Sequence, residues 1–552
     1  MRPRTRLLFQ ILSVGFLLGP LSVTAASLLP ERVAKAAQER IDANLYPTLV
    51  FAVVDGDKSE VIGFGKLADG KAADGETVYE IGSITKTFTA TLLADAVQTG
   101  KLKLDAPVAT LLPDFKIPAR SGKQITLLDI ATQHSGLPRM PNNFAPADPA
   151  NPYVDYTATN LKSFLASYEL PRDPGASYEY SNLGFALLGY ALAQQAHTDY
   201  AALLQEKILQ PLGMQMSGVV LDAKMRAHLA PGHGDDGKPV KNWDFDVFAS
   251  AGAIRSAGDD MLRYLKANMG ANKTALASAM KFAQQPRREL GKDAHIGLAW
   301  MTRDPKPNGT ISHGGATGGY TSFLGFSADG RRGVVVLTNI SSDVEELGFA
   351  ALLDGAPLSP VHKAISVDAA TLDDYVGIYK LAENFLITIT RKDDQLTTEA
   401  TGQGPLPIYP SATNEFFAKV AGISLTFKRD AQGKVSGFVL HQGRDTPATK
   451  LSASEIAVAT KSIKLDTATL RDYPGKYQLA PGAVFDFTLK DDQLYAQLAD
   501  QPVFLVFASA KDKFFYTVVD AQLDFERDAS GRVVAVTLHQ NGQNQHAARI
   551  KP

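Results

Sequence analysis

The C-terminal third of the chain is written twice. "VDAATLDDYVGIY" (367–379) matches "LDTATLRDYPGKY" (465–477), and "KDDQL" recurs at 392 and 490. "FF" recurs at 416 and 514, "RDAQGKV" at 429 returns as "RDASGRV" at 527, and "LHQ" recurs at 440 and 538. Every pair keeps one offset, 98 residues, without a gap. Two copies of a unit this long mean a duplicated domain and exclude a short-period solenoid. Inside each copy, "FLITITRKDDQLTTEA" and "VFDFTLKDDQLYAQL" alternate apolar and polar residues around a polar turn, the pattern of β-hairpins. Two small all-β domains, each an antiparallel (lipocalin-like) barrel or a sandwich, are therefore expected at 363–455 and 461–552. Tyr375 and Tyr473 recur because the copies share an origin, which marks no site.

The first 358 residues read differently. A helical pattern runs from about Leu29 to Asp42, followed by the apolar strand "TLVFAVV" (48–54), the turn Asp55-Gly56-Asp57-Lys58 and a second strand near Val61–Phe64. Strands return late, as "TSFLGF" (321–326) and "VVVLTN" (334–339), after a long helical and loop-rich stretch. Strands at both ends with helices between predict an α+β domain, one antiparallel sheet carrying a helical insertion, over 27–358. A proline-containing linker near 355–362 separates it from the repeats.

Ahead of that domain, "MRPRTRLLFQILSVGFLLGPLSVTAAS" places three arginines before an apolar run that ends in small residues. It reads as a signal peptide over 1–26, cleaved near Ala25 or Ala26, with an uncleaved membrane anchor as the alternative. No later stretch is long and apolar enough to span a bilayer. The chain has no cysteine, so disulfides, a thiol nucleophile, a thiolate metal site and a lipid-modified cysteine are all excluded. Its ten histidines are scattered without ligand spacing, so neither metal nor other cofactor is expected. Lys+Arg 56 against Asp+Glu 58 leaves no electrostatic footprint for nucleic acid.

The chemistry is carried by short stretches within 27–358. "YEIGSITKTFTATLLADAV" (79–97) puts Ser83 and Lys86 three apart at the start of a helix predicted to be amphipathic, so hydroxyl and amine share one face. Taken alone, this spacing is better explained by a serine that caps the helix. The same spacing recurs at Ser278 and Lys281, inside a helical pattern without a start signal. "YEYSNLGFALLGYALAQQ" (178–195) holds Tyr180-Ser181-Asn182 before an apolar helix, and "NGTISHGGATGGYTSFLGF" (308–326) sets His313-Gly314-Gly315 beside a strand. "LDIATQHSGLPRMP" (128–141) runs a helix into a proline-containing loop. A serine nucleophile needs a base, an oxyanion hole and an acid for the leaving group. Lys86 could keep Ser83 or Tyr180 deprotonated, Tyr180 could shuttle a proton, and Asn182 could orient the lysine or bind a substrate amide. A glycine-rich strand edge would let a substrate backbone approach.

The order S-x-x-K, Y-x-N, H-x-G, together with "HSGLP", "PGASYEYSNLGFALLGY" and "ILQPLGM" (208–214), resembles the class C β-lactamase and low-molecular-mass penicillin-binding protein family over about residues 30–345. The resemblance implies a penicillin-recognising serine hydrolase, of β-lactamase or D-alanyl-D-alanine carboxypeptidase type, with an antiparallel sheet and a helical lobe. Ser83 would be the nucleophile and Lys86 and Tyr180 the acid and base. Asn182 would position the substrate amide, and His313 with Gly315 would line the carboxylate end. Backbone N–H groups of Ser83 and Ala316 would form the oxyanion hole. Substrates would be β-lactams or cell-wall D-alanyl peptides, met in a bacterial periplasm or outside the cell. Class C β-lactamases carry lysine and threonine where this chain has His313 and Gly314, and histidine holds a carboxylate more weakly near neutral pH. A carboxylesterase or D-aminopeptidase on the same scaffold, and a slowly deacylating sensor, are the alternatives. The loops near 138–160 and 230–250 are expected to shape the pocket.

Overall fold

The computed structural model describes residues 27–303, 309–382, 385–400, 405–418, 423–442, 444–452, 454–456, 463, 465–480, 483–490, 492–499, 503–516, 521–540 and 543–550. The expected signal segment, 1–26, lies outside them. The N-terminal domain is built on an eight-stranded sheet, antiparallel throughout. Its order is Lys58–Gly65, Thr48–Asp55, Arg332–Thr338, Thr321–Ser327, Thr310–Ala316, Met301–Arg303, Ala294–Ile296 and Arg288–Gly291. The predicted hairpin pairs Asp55 with Lys58 around Gly56, whose φ of 60° suits glycine. Strand Thr48–Asp55 is buried on both faces because it divides two cores. Val50, Ala52 and Val54 face the helical lobe, while Leu49, Phe51 and Val53 meet helices Glu31–Asp42 and Glu345–Leu352.

Between the strands at the two ends of this domain lies the lobe, centred on helix Thr85–Gln98. That helix departs from the amphipathic expectation, since every residue from Thr85 to Ala94 is buried. Its threonines look polar in sequence, but each finds a partner inside. Thr87 Oγ1 donates to Ile84 O (2.8 Å), Thr89 Oγ1 to Ser250 O (2.8 Å) and Thr91 Oγ1 to Thr87 O (2.9 Å). Helix Ala277–Gln284 carries the second S-x-x-K pair, and Ser278 Oγ there donates to Gln98 Oε1 (2.8 Å) at the surface.

Each repeat closes into an eight-stranded antiparallel barrel, spanning Gly377–Lys450 in the first and Gly475–Arg549 in the second. The register repeats with the sequence: Tyr379 pairs with Lys450, and Tyr477 with Arg549. Side chains such as Ile387, Ile389, Phe427 and Phe438 fill the first barrel; Phe485, Phe487, Phe525 and Leu538 fill the second. The recurring tyrosines have a physical cause. Tyr375 donates to Asn414 Oδ1 (3.0 Å) under the Arg429 guanidinium, and Tyr473 donates to Asp512 Oδ1 (3.0 Å) under Arg527. In both copies the arginine also meets an aspartate beside the tyrosine, Asp374 or Asp472, at 2.8 Å. Among the described residues no helix is long and apolar enough to cross a membrane.

Candidate active site

Ser83 sits in a single 3₁₀ turn, Gly82–Ile84, that feeds helix Thr85–Gln98. Gly82 has φ 48°, and a Cβ there would lie 2.6 Å from both N and O of Ala316. Only glycine lets the serine turn lean against the end of strand Thr310–Ala316. Ser83 caps nothing: the helix N-terminus has no side-chain cap. Its hydroxyl is instead held by the two predicted partners. Lys86 Nζ is 3.0 Å from Ser83 Oγ, and Tyr180 donates its O–H to Ser83 Oγ at 2.7 Å. Lys86 Nζ also donates to Asn182 Oδ1 (2.8 Å) and to the carbonyl of Ala251 (2.7 Å). Asn182 opens helix Asn182–Gln195, where the Ser181 side chain caps the Gly184 N–H, so Tyr180 and Asn182 flank a fixed helix start. Ser83, Lys86, Tyr180 and Asn182 thus meet at one point.

Burial decides the protonation states. Lys86 has no exposed surface, and burial, with the positive charge of Arg139 adding to it, holds its amine well below the usual lysine range. Hydrogen-bond arithmetic agrees. A neutral amine has two N–H donors, which Asn182 Oδ1 and Ala251 O occupy, leaving its lone pair for the Ser83 proton. Tyr180 is shifted the other way: burial raises its phenol above the usual value, against smaller opposing effects of Ser83 and Arg139. Near neutral pH the phenol keeps its proton.

The strand wall is less receptive than the sequence suggests. His313 is buried, and its Nδ1 lies 2.6 Å from Gly314 O, an atom that can only accept, so Nδ1 carries the hydrogen of a neutral ring. Burial, helped by the nearby Lys86, pushes this histidine down to about 4. The expected fractional charge for a substrate carboxylate is therefore absent at neutral pH. Gly315 also serves the chain itself: a Cβ there would stand 2.1 Å from Ile81 O and 2.5 Å from Ser322 Oγ. Glycine at 315 is thus what lets this strand pack against the Ile81 segment. Gly318 follows suit, its missing side chain replaced by the Trp243 indole at 2.7 Å. Ala316 is exposed and faces the cleft.

The cleft is lined by Ser83, Asn182, Ala316 and Thr317, and by Tyr153, Trp243, Phe245 and Phe248. Tyr153 stacks on Phe245 with ring centres 4.9 Å apart. These aromatics come from the two loops expected to shape the pocket, and only their density in sequence hinted at them. Trp243 is anchored to the segment that carries Ser83: Trp243 N and Asn242 Nδ2 donate to Glu80 Oε1 at 3.1 and 2.9 Å. Arg139 and Ala251 were missed as individuals. The Arg139 guanidinium stands 5.2 Å from the Tyr180 ring centre, opposite Lys86 at 4.9 Å. Among the described residues no cluster of His, Asp and Glu has the geometry to hold a metal ion.

Comparison with known proteins follows the same division of the chain. A family described as "Beta-lactamase" matches residues 33–356, and a "Domain of unknown function (DUF3471)" matches 361–455 and again 459–549. The D-alanyl-D-alanine-carboxypeptidase/endopeptidase AmpH of Escherichia coli (strain K12) is 26% identical over 293 residues, 50% of this chain and 75% of that protein. Penicillin-binding protein 4* of Bacillus subtilis (strain 168) is 22% identical over 419 residues, 70% of this chain and 91% of its own. A crystal structure from Pseudomonas syringae, described as a beta-lactamase/D-alanine carboxypeptidase, shares the fold. It has a TM-score of 0.53 and 22% identity, over 59% of this chain and 98% of that one. With the match extending over more than half of its length and onto the Ser83 turn, this chain belongs to the Beta-lactamase family of serine hydrolases.

Proposed function

We propose that the protein is an exported penicillin-recognising hydrolase that works through an acyl-enzyme on Ser83 and acts on D-alanyl peptides and β-lactams. The observation that carries this reading is the closed set around Ser83 Oγ: a phenol that donates at 2.7 Å and a buried amine with its lone pair available at 3.0 Å. In acylation the Ser83 oxygen bonds to the substrate carbonyl carbon as its proton passes to Lys86 Nζ. The carbon–nitrogen bond then breaks, and the Tyr180 O–H gives its proton to the departing nitrogen. This leaves a lysinium beside a phenolate, two charges that hold each other in a buried site. In deacylation the phenolate takes a proton from water, the hydroxide attacks the ester, and Lys86 returns its proton to the Ser83 oxygen. The backbone N–H groups of Ser83 and Ala316 face the oxyanion, a role supported by the contact of Gly82 with Ala316. Asn182 holds Lys86 and presents its amide N–H to the acyl part of the substrate. Bacterial relatives that act on D-alanyl peptides, together with the N-terminal arginine-plus-apolar segment, support a periplasmic or secreted site of action.

A second reading is favoured by one feature, the neutral His313. Its Nε2 offers only a lone pair, which does not attract a carboxylate. Esters and amides of D-amino acids, the substrates of a carboxylesterase or D-aminopeptidase, make no such demand. Steady-state turnover of benzylpenicillin, a D-alanyl-D-alanine peptide and a D-alanine p-nitroanilide separates the two. Turnover of either of the first two, lost in Ser83→Ala, supports the first reading. Turnover of the anilide alone shifts the assignment to the second.

A further inference from the structure

We propose that Gln133 is a positioning residue that fixes the Tyr180 phenol over Ser83, so that the Q-H-S-G-L-P loop is the cradle of the acid–base tyrosine. Gln133 follows the short helix Leu127–Ala131 and is buried, 2% exposed. It brackets Tyr180 from both sides. Its backbone carbonyl accepts the Glu179 N–H at 2.8 Å, and its side-chain Oε1 accepts the Ser181 N–H, also at 2.8 Å. The rest of the loop continues the grip. Pro138 O accepts the Ser181 hydroxyl at 2.7 Å and Arg139 O accepts the Asn182 N–H at 3.1 Å. With the backbone on either side of it held, the Tyr180 hydroxyl meets Ser83 Oγ at 2.7 Å.

The backbone of Gln133 argues that this grip, and not the helix stop, selects the residue. Its φ is +61°, in the left-handed region, at the place just beyond a helix where glycine or asparagine is ordinarily favoured. Gln133 N donates to Ile130 O and His134 N to Asp129 O, as such a stop requires. Glycine would close the helix with less strain, but it would offer no acceptor to Ser181. A strained non-glycine residue with its side chain spent on the neighbour of a reactive group marks function over stability.

The inference rests on Tyr180 serving Ser83, as proposed above. The test is single-turnover acylation by nitrocefin across pH, with thermal unfolding, for wild type, Gln133→Gly, Gln133→Asn and Gln133→Glu. Glycine and asparagine suit the backbone but cannot reach Ser181; glutamate keeps the reach and an accepting oxygen. The expected result is an acylation rate constant lower by about 10- to 100-fold in the first two, with Tm unchanged or higher. Their alkaline limb moves to lower pH as the loosened phenol meets solvent, and glutamate restores most of the rate. Wild-type acylation in Gln133→Gly, or a glutamate variant as slow as glycine, overturns the proposal. Acylation that persists in Ser83→Ala would instead strike at the hydrolase reading, and at this one with it.

Discussion

Lys86 combines complete burial with three polar contacts, and burial holds its amine well below the usual lysine range, as the base proposed for Ser83 requires. Lys86→Met is expected to slow acylation by about 10²- to 10⁴-fold, measured by rapid quench, with the fold retained. Arg139 contributes to holding the amine low, so Arg139→Gln lets the Lys86 pKa rise. Because the neutral amine is the active form, the acid limb of the acylation rate then moves to higher pH; an unmoved limb would remove Arg139 from the electrostatic account. His313 leaves a different trace. Its folded-state pKa lies near 4, below the ordinary 6.5, so the unfolded chain binds the extra proton between those values. Stability contributed by His313 is present above that window and falls as pH drops through it, by about 3 kcal/mol at most. His313→Gln should flatten this part of the stability–pH curve in denaturant titrations from pH 4 to 7. Ser83, Lys86, Tyr180 and Asn182 were legible because their spacing and order survive in the sequence. The charge of His313 was not, because burial is a property of everything packed around it.

At the scale of elements, the site depends on one strand and two loops meeting the serine turn. Strand Thr310–Ala316 reaches it only because Gly315 is bare against Ile81 O. Gly315→Ala forces a 2.1 Å contact with backbone, so the strand must shift away from Ser83. Acylation is expected to fall by at least about 10²-fold with a lower Tm, and an active, stable variant would contradict the packing role. The strands and hairpins followed from alternation and turn residues, and they stand close to where the pattern put them. Helix Thr85–Gln98 did not announce its burial, since its threonines find partners as far along the chain as Tyr264. The aromatic wall escaped for the same reason: Tyr153 and Phe245 lie far apart in sequence, and no local pattern joins them.

Across the whole molecule, the cores are separate. Among the described residues the N-terminal domain has two large clusters of its own and a small one of Val78, Met216, Met225 and Ala257, and each barrel has one. The barrels share a further cluster of Ile378, Leu386, Ile456 and Phe507, which ties them to each other. None of the described residues that line the Ser83 cleft comes from a barrel. A chain ending at 362, which keeps the Ser359 contacts to Arg40 and Glu346, is therefore predicted to acylate within about threefold of the full protein. A much larger loss would give the barrels a part in the site. The repeat was the most legible feature of all, because 98-residue self-similarity needs no tertiary information. The role of the barrels was not, since the residues that recur are those that close and fill them, such as Tyr375 and Tyr473.

In the mechanism proposed above, Ser83 carries the acyl group. Intact mass of the protein after millisecond quenching with excess benzylpenicillin, followed by peptide mapping, tests it directly. The expected result is a penicilloyl adduct on the peptide containing Ser83, absent in Ser83→Ala and strongly reduced in Lys86→Met. An adduct on another residue, or penicillin hydrolysed equally by Ser83→Ala, would contradict it.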